Sequence, residues 1–169
     1  NLSVEEFTDF HSLDWALKSI LSRDVFKGVI HTAAVSDYSV DYLMVEGKHI
    51  VPNENMKLDS GKSLSIILKP TYKIIDRIKD YGNIEILVGF KLTNTLDESQ
   101  RVKEVRALFR HAPVDYIVHN DKNDINERKH KACIYAEDSV LHRTESKSEM
   151  AEKLIELFML APGEHDERG

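Results

Sequence analysis

Short apolar runs alternate with segments of helical spacing along most of this chain, and that alternation narrows its architecture more than any other feature. Val29–Val35, Leu64–Leu68, Ile84–Phe90 and Asp115–Val118 read as strands, the first as the central buried one. Ser12 is placed to cap a helix bearing Leu13, Ala16, Leu17, Ile20 and Leu21, and Thr71 one bearing Ile74, Ile75 and Ile78. Asp97 starts a helix with Val102, Val105, Leu108 and Phe109 on one face. Ser146 and Glu149, at capping-box spacing, open a last helix that runs to about Leu160. The alternating Leu2–Phe7 reads as a half-exposed strand, and two short strands near Ala132–Ala136 and Val140–Arg143 flank a turn at Glu137-Asp138-Ser139. The pattern predicts an α/β architecture with a mostly parallel, helix-flanked sheet. Right-handed crossovers would set successive strand ends on one edge.

The length of 169 residues points to one domain, residues 1–162, followed by the polar tail Gly163–Gly169. A net charge of −6 with no basic block argues against nucleic acid and anionic membranes as partners. Cys133 is the only cysteine, so no intrachain disulfide forms and a reducing compartment fits; in its apolar strand it reads as packing. No apolar run reaches the ~20 residues of a membrane span and no signal peptide is legible, which places the protein in the cytoplasm. The start at Asn1, just before a strand-like stretch, suggests an incomplete N-terminal side.

The candidate site lies at the carboxyl edge of the sheet, where open α/β sheets bind ligands. Ala33 and Ala34 allow close backbone approach there, and Ser36 and Asp37 add polar groups. Gly89-Phe90 combines a bare backbone with an aromatic surface, while Asn120-Asp121 offers an amide and a carboxylate for a base or ribose. Taken singly, Phe90 also reads as core and Asn120-Asp121 as a turn. The aperiodic residues 39–61, with Gly47, Pro52, Asn53 and Asn55, read as a mobile flap that carries Lys57. Such a lysine can neutralise phosphate or a developing oxyanion; taken by itself it reads first as a solvated surface residue. No Gly-x-Gly-x-x-Gly or Walker loop occurs, the eight histidines form no zinc pattern, and no metal ligands are assigned.

In this order, Ala33-Ala34-Val35-Ser36-Asp37-Tyr38, Lys57-Leu58, Thr71–Ile75, Val88-Gly89-Phe90-Lys91-Leu92 and Ile117-Val118-His119-Asn120-Asp121 resemble phosphopantothenate–cysteine ligase, most closely its short single-function bacterial form. The resemblance implies a Rossmann-like three-layer fold with a flap over the sheet edge, and a homodimer. It implies joining of 4′-phosphopantothenate to L-cysteine through an acyl-nucleotide made from CTP, or ATP, with Mg²⁺. It gives Lys57 the catalytic role, and Ala33, Ala34, Ser36, Asp37, Gly89, Phe90, Asn120 and Asp121 nucleotide- or substrate-binding roles. The sequence departs from the family where Asp59-Ser60 replaces a lysine pair, Tyr72 a proline and His119 a small residue, and the family's upstream glycine-rich segment has no counterpart. Two other classes stay open: an NAD(P)-dependent oxidoreductase and a non-catalytic nucleotide-binding or dimerisation module.

Overall fold

A computed structural model describes residues 2–53, 55–127, 129–137 and 139–160. In chain order its main elements are α1 (Phe10–Leu21), β1 (Phe26–His31), β2 (Tyr38–Val45), β3 (Lys48–Ile50), β4 (Leu64–Pro70), β5 (Ile84–Thr93), α2 (Glu98–His111), β6 (Tyr116–Asp121), β7 (Ala132–Ala136), β8 (Ser139–Thr144) and α3 (Lys147–Leu160). They gather into two compact units, one from residues up to Ala33 and from Ile74 onward, the other Ala34–Lys73.

The first unit is the expected α/β, Rossmann-like body. Its five strands run in the order β1-β5-β6-β7-β8, and only β7 opposes the other four. Strand residues alternate between two apolar faces, as a sheet covered on both sides requires. Ile86, Val88, Val118 and Ile134 pack with Leu154 and Leu157 of α3, joined by Phe90 and Phe158. Ile117 and Tyr135 pack on the opposite face with Val105 and Leu108 of α2. Asp97 caps α2 as expected, its carboxylate accepting from the Ser99 and Gln100 amides at 2.9 and 3.4 Å.

A close approach at Gly82 locks α1 onto this body. A Cβ there would stand 2.0 Å from the Leu21 carbonyl oxygen and 2.8 Å from its carbon. Because the obstacle is backbone, no rotamer relieves it, and Gly82→Ala should lower stability by about 2–3 kcal/mol. Urea unfolding would register this as a lower midpoint at unchanged slope; an unshifted midpoint would disprove the close approach.

Several expectations are corrected. Leu2–Phe7 is not a strand: Leu2, Val4 and Phe7 are exposed, and the segment joins no ladder, without which alternation does not make a strand. Helix α1 is capped by Asp9, and Ser12 sits at the third helical position of a capping box. β1 stops at His31 and lies at the edge of the sheet, not its centre, because it pairs with β5 alone. No α-helix follows Thr71; two 3-10 turns at Ile74–Asp76 and Ile78–Asp80 occur instead, and the Thr71 hydroxyl donates to the Ser36 carbonyl at 2.7 Å. Asp138 of the expected turn and the tail at 163–169 fall outside the described residues.

The second unit is an antiparallel ribbon ordered β3-β2-β4, so Leu64–Leu68 belongs to this sheet and much of the stretch expected to be aperiodic is strand. Glu46 and Gly47, with φ of 47° and 78°, make the tight turn between β2 and β3. Among the described residues no helix is long and apolar enough to cross a membrane.

Candidate functional site

The parallel strands β1, β5 and β6 send their carboxyl ends the same way, with His31 opposite Gly89 and Thr93 opposite Asp121. Ala33 follows β1 directly. Gly89 and Phe90 lie within β5 rather than at its end, and they face opposite sides. Gly89 is closely packed: a Cβ would come within 2.9 Å of Ile75 Cδ1 and 3.2 Å of Val114 Cγ1, so those side chains would have to shift. Phe90 packs into the α3-side core. Asn120 is buried, and its side-chain amide donates to the Lys131 carbonyl at 2.8 Å. Ala34, Ser36, Asp37 and Lys57 belong to the ribbon. There Ser36 is fixed at the base, its hydroxyl donating to the Tyr38 carbonyl at 2.7 Å, while Asp37 and Lys57 are exposed.

Asp121 is the most heavily bonded side chain at the edge, and none of it is exposed. It accepts from the Thr93 hydroxyl at 2.5 Å, the Thr95 amide at 3.0 Å, and the Asn123 amide and side chain at 2.9 and 2.7 Å. Arg101, one turn into α2, pairs with it at 3.2 Å and with Asp124 at 2.7 Å. Burial would raise the Asp121 pKa, but the donors from Thr93, Asn123 and Thr95 outweigh it and hold the carboxyl well below the usual carboxylate range.

Sequence reading passed over the groups around this carboxylate. His119 Nε2 lies 2.8 Å from the Thr93 hydroxyl oxygen. His119 and Asp121, together with Glu98, Arg101, Lys131, Cys133, Tyr135 and Arg143, line a cleft of about 210 Å³ on the α2 side of β6, β7 and β8. Only tertiary pairing assembles it, since its members come from four elements; the one sequence signal was His119 in place of a small residue. Burial, with Arg101 nearby, lowers the His119 pKa, and burial pushes the Cys133 thiol up, so that sulfur is a thiol that accepts from Arg143 at 3.3 Å.

These shifts set a pH dependence. His119, and His31 by the same desolvation, bind protons less readily folded than their ordinary 6.5. Below about pH 6.5 the unfolded chain therefore takes up more protons, and stability should fall as pH drops through that point. Asp121 adds stability above about pH 4 that is lost on further acidification. A urea midpoint followed from about pH 7.5 down to about pH 3 should decline in two stages, and His119→Gln should flatten the first. A midpoint constant down to about pH 5 would contradict the histidine assignment.

The sequence matches the DNA/pantothenate metabolism flavoprotein C-terminal domain family over residues 14–160. It is 30% identical over 141 residues to the coenzyme A biosynthesis bifunctional protein CoaBC of Thermococcus kodakarensis, covering 82% of this chain and 32% of that protein. The chain thus spans about a third of that curated relative. The crystal structure of the DNA/pantothenate metabolism flavoprotein from Streptococcus pneumoniae superposes with a TM-score of 0.78 at 26% identity, covering 93% of this chain and 72% of that one. A Cab2 mutant in complex with phosphopantothenate-cysteine shares the fold, with a TM-score of 0.57 at 20% identity over 90% of this chain and 50% of that one. The strand order and the family match agree with the resemblance to phosphopantothenate–cysteine ligase, and the chain belongs to the DNA/pantothenate metabolism flavoprotein C-terminal domain family.

Proposed function

We propose that this chain is the nucleotide- and substrate-binding body of a phosphopantothenate–cysteine ligase of coenzyme A biosynthesis. The observation that carries the reading is the family match over residues 14–160, which runs through every segment of the ordered set from Ala33 to Asp121. In the first step the carboxylate of 4′-phosphopantothenate attacks the α-phosphate of CTP. A carboxyl–phosphate bond forms, the α–β anhydride breaks, and pyrophosphate leaves. In the second, the amine of L-cysteine attacks the acyl carbon, the amide forms, CMP departs with the electron pair, and the amine proton passes to solvent. Alignment and charge neutralisation dominate both steps.

Lys57 brings positive charge to the phosphates. By the resemblance, Ala33, Ala34, Ser36, Asp37 and Asn120 contact the nucleotide or the acid, whereas Gly89 and Phe90, packed inside the first unit, support β5, and Asp121 holds the end of β6. Among the described residues no three His, Cys, Asp or Glu side chains gather to hold a metal, so no protein cage and no step is assigned to Mg²⁺. When bound with a nucleotide it neutralises phosphate charge, held mainly by the phosphates and water. A homodimer is supported by the edge strand β4, whose Leu64, Ile66, Ile67 and Leu68 are 41%, 55%, 36% and 52% exposed.

The test is pyrophosphate release with 4′-phosphopantothenate plus CTP or ATP, without and then with L-cysteine, using this chain and the full reading frame that encodes it. Release that depends on both 4′-phosphopantothenate and CTP, followed by CMP on addition of cysteine, is expected from the full protein. Nucleotide binding without release from either would favour the non-catalytic module.

A further inference from the structure

The outward face of α2 concentrates positive charge on an otherwise acidic chain. Lys103, Arg106 and Arg110 stand three and then four residues apart, so they share one side of the helix over about 10 Å. All three are exposed. The other charges of the helix body are committed elsewhere: Arg101 to Asp121 and Asp124, and Glu104 to Lys91 at 2.7 Å. Lys103 and Arg110 make no hydrogen bond or ion pair among the described residues. With a net charge of −6 for the whole chain, such a run is the exception on this surface.

Two open troughs, of about 590 and 630 Å³, flank the run, and Arg106 and Arg110 line both. Val102 gives the first an apolar floor, and Phe109 and Val114 floor the second while packing inward on the core around Val105 and Leu108. The acids stand outside the shared stretch, since Glu98 lines only the first trough and Glu137 only the second. Troughs of this size that lie open along a helix suit a peptide laid across them better than an enclosed small molecule.

We infer that this face docks an acidic amphipathic helix of another protein, with carboxylates at i, i+3 or i+4, and i+7 along Lys103, Arg106 and Arg110 and apolar side chains over Val102 and Phe109. A simple polyanion would leave the apolar floors wet, and a neutral apolar helix would bury cations without partners. A second copy of this chain is a poorer occupant. Its α3 carries Glu149, Glu152 and Glu156 at the matching spacing, but Glu149 accepts from the Glu145 amide at 2.8 Å and Glu156 is held by Lys153 at 2.8 Å. The face uses no residue of the ligase reading, and the inference holds whether or not that reaction is found.

The experiment is fluorescence anisotropy of the folded chain with a labelled, end-capped helical peptide of about 20 residues that carries three Glu on this spacing beside a Leu face. One control redistributes the Glu residues around the helix, and another replaces them with Lys. The patterned peptide should bind saturably with a Kd of about 10–100 μM, and both controls about tenfold more weakly. Its affinity should fall as NaCl rises from ~50 to ~300 mM. The double variant Lys103→Glu, Arg110→Glu should keep the melting temperature, bind the Glu peptide about tenfold more weakly and gain affinity for the Lys peptide. Equal binding of the redistributed peptide, an unchanged double variant, or no saturation up to ~1 mM would overturn the inference. So would self-association of the wild type, read by sedimentation, that the double variant abolishes, because the occupant would then be a second copy.

Discussion

Asp121→Ala should destabilise the protein by about 3–5 kcal/mol, the range for removing one partner of a buried ion pair. The carboxylate is fully buried and answers five donors: the Arg101 guanidinium, the Thr93 hydroxyl, the Thr95 and Asn123 amides, and the Asn123 side chain. Alanine leaves those donors facing a void. Arg101, 15% exposed, keeps Asp124 as its one remaining carboxylate and the Thr95 carbonyl at 2.9 Å. Asp121→Asn retains an acceptor oxygen but loses the charge, so it should fall between wild type and alanine. Chemical denaturation of the three proteins tests this, and equal midpoints would mean the cluster contributes nothing net. The effect should also depend on pH. The wild-type advantage over Asp121→Asn should shrink as pH falls below about 4, where the native carboxylate begins to compete with protonation in the unfolded chain.

Lys57→Ala carries the second large effect, on chemistry instead of stability. Lys57 is exposed on the loop between β3 and β4 and makes no hydrogen bond or ion pair among the described residues, so its removal should leave the melting temperature unchanged. If it neutralises charge developing on the phosphates, acyl-nucleotide formation in the active full protein should fall by about 10²–10³-fold. Lys57→Arg should recover part of the rate, because it keeps the charge while changing its geometry. A folded Lys57→Ala enzyme releasing pyrophosphate at the wild-type rate would remove the residue from the mechanism.

What the sequence disclosed was governed by how local each signal is. Helix α2 was legible from Asp97 and the spacing of Val105 and Leu108, because cap and apolar face lie within one stretch. The continuous apolar run of β5 was legible because a strand covered on both faces needs no alternation. The β2–β3 hairpin was hidden. Tyr42-Leu43-Met44-Val45 masks the alternation, a register shift between Val40 and Tyr42 breaks its phase, and Glu46 is an unusual residue for a positive-φ turn. Leu2–Phe7 misled in the opposite sense, since a period of two records what a strand would look like and not whether a partner exists. At the site, the sequence could put Asn120-Asp121 at a strand end but could not foresee that Arg101 and Thr93 would occupy the carboxylate. That depends on which strand and helix lie beside β6, a matter of tertiary pairing.

The base of the ribbon carries one further consequence. The Thr71 amide and hydroxyl donate to the Asp37 and Ser36 carbonyls at 2.9 and 2.7 Å, so the two legs of this unit are stitched together where the chain enters and leaves it. A segment closed at its own base behaves as a cassette. Its tips can lengthen, shorten or be exchanged between relatives while the entry and exit backbones stay side by side. Evolution could thus remodel the part of the chain that bears Lys57 without renegotiating the sheet. A protein engineer could do the same by cutting outside the Ser36–Thr71 stitch and transplanting the loop whole.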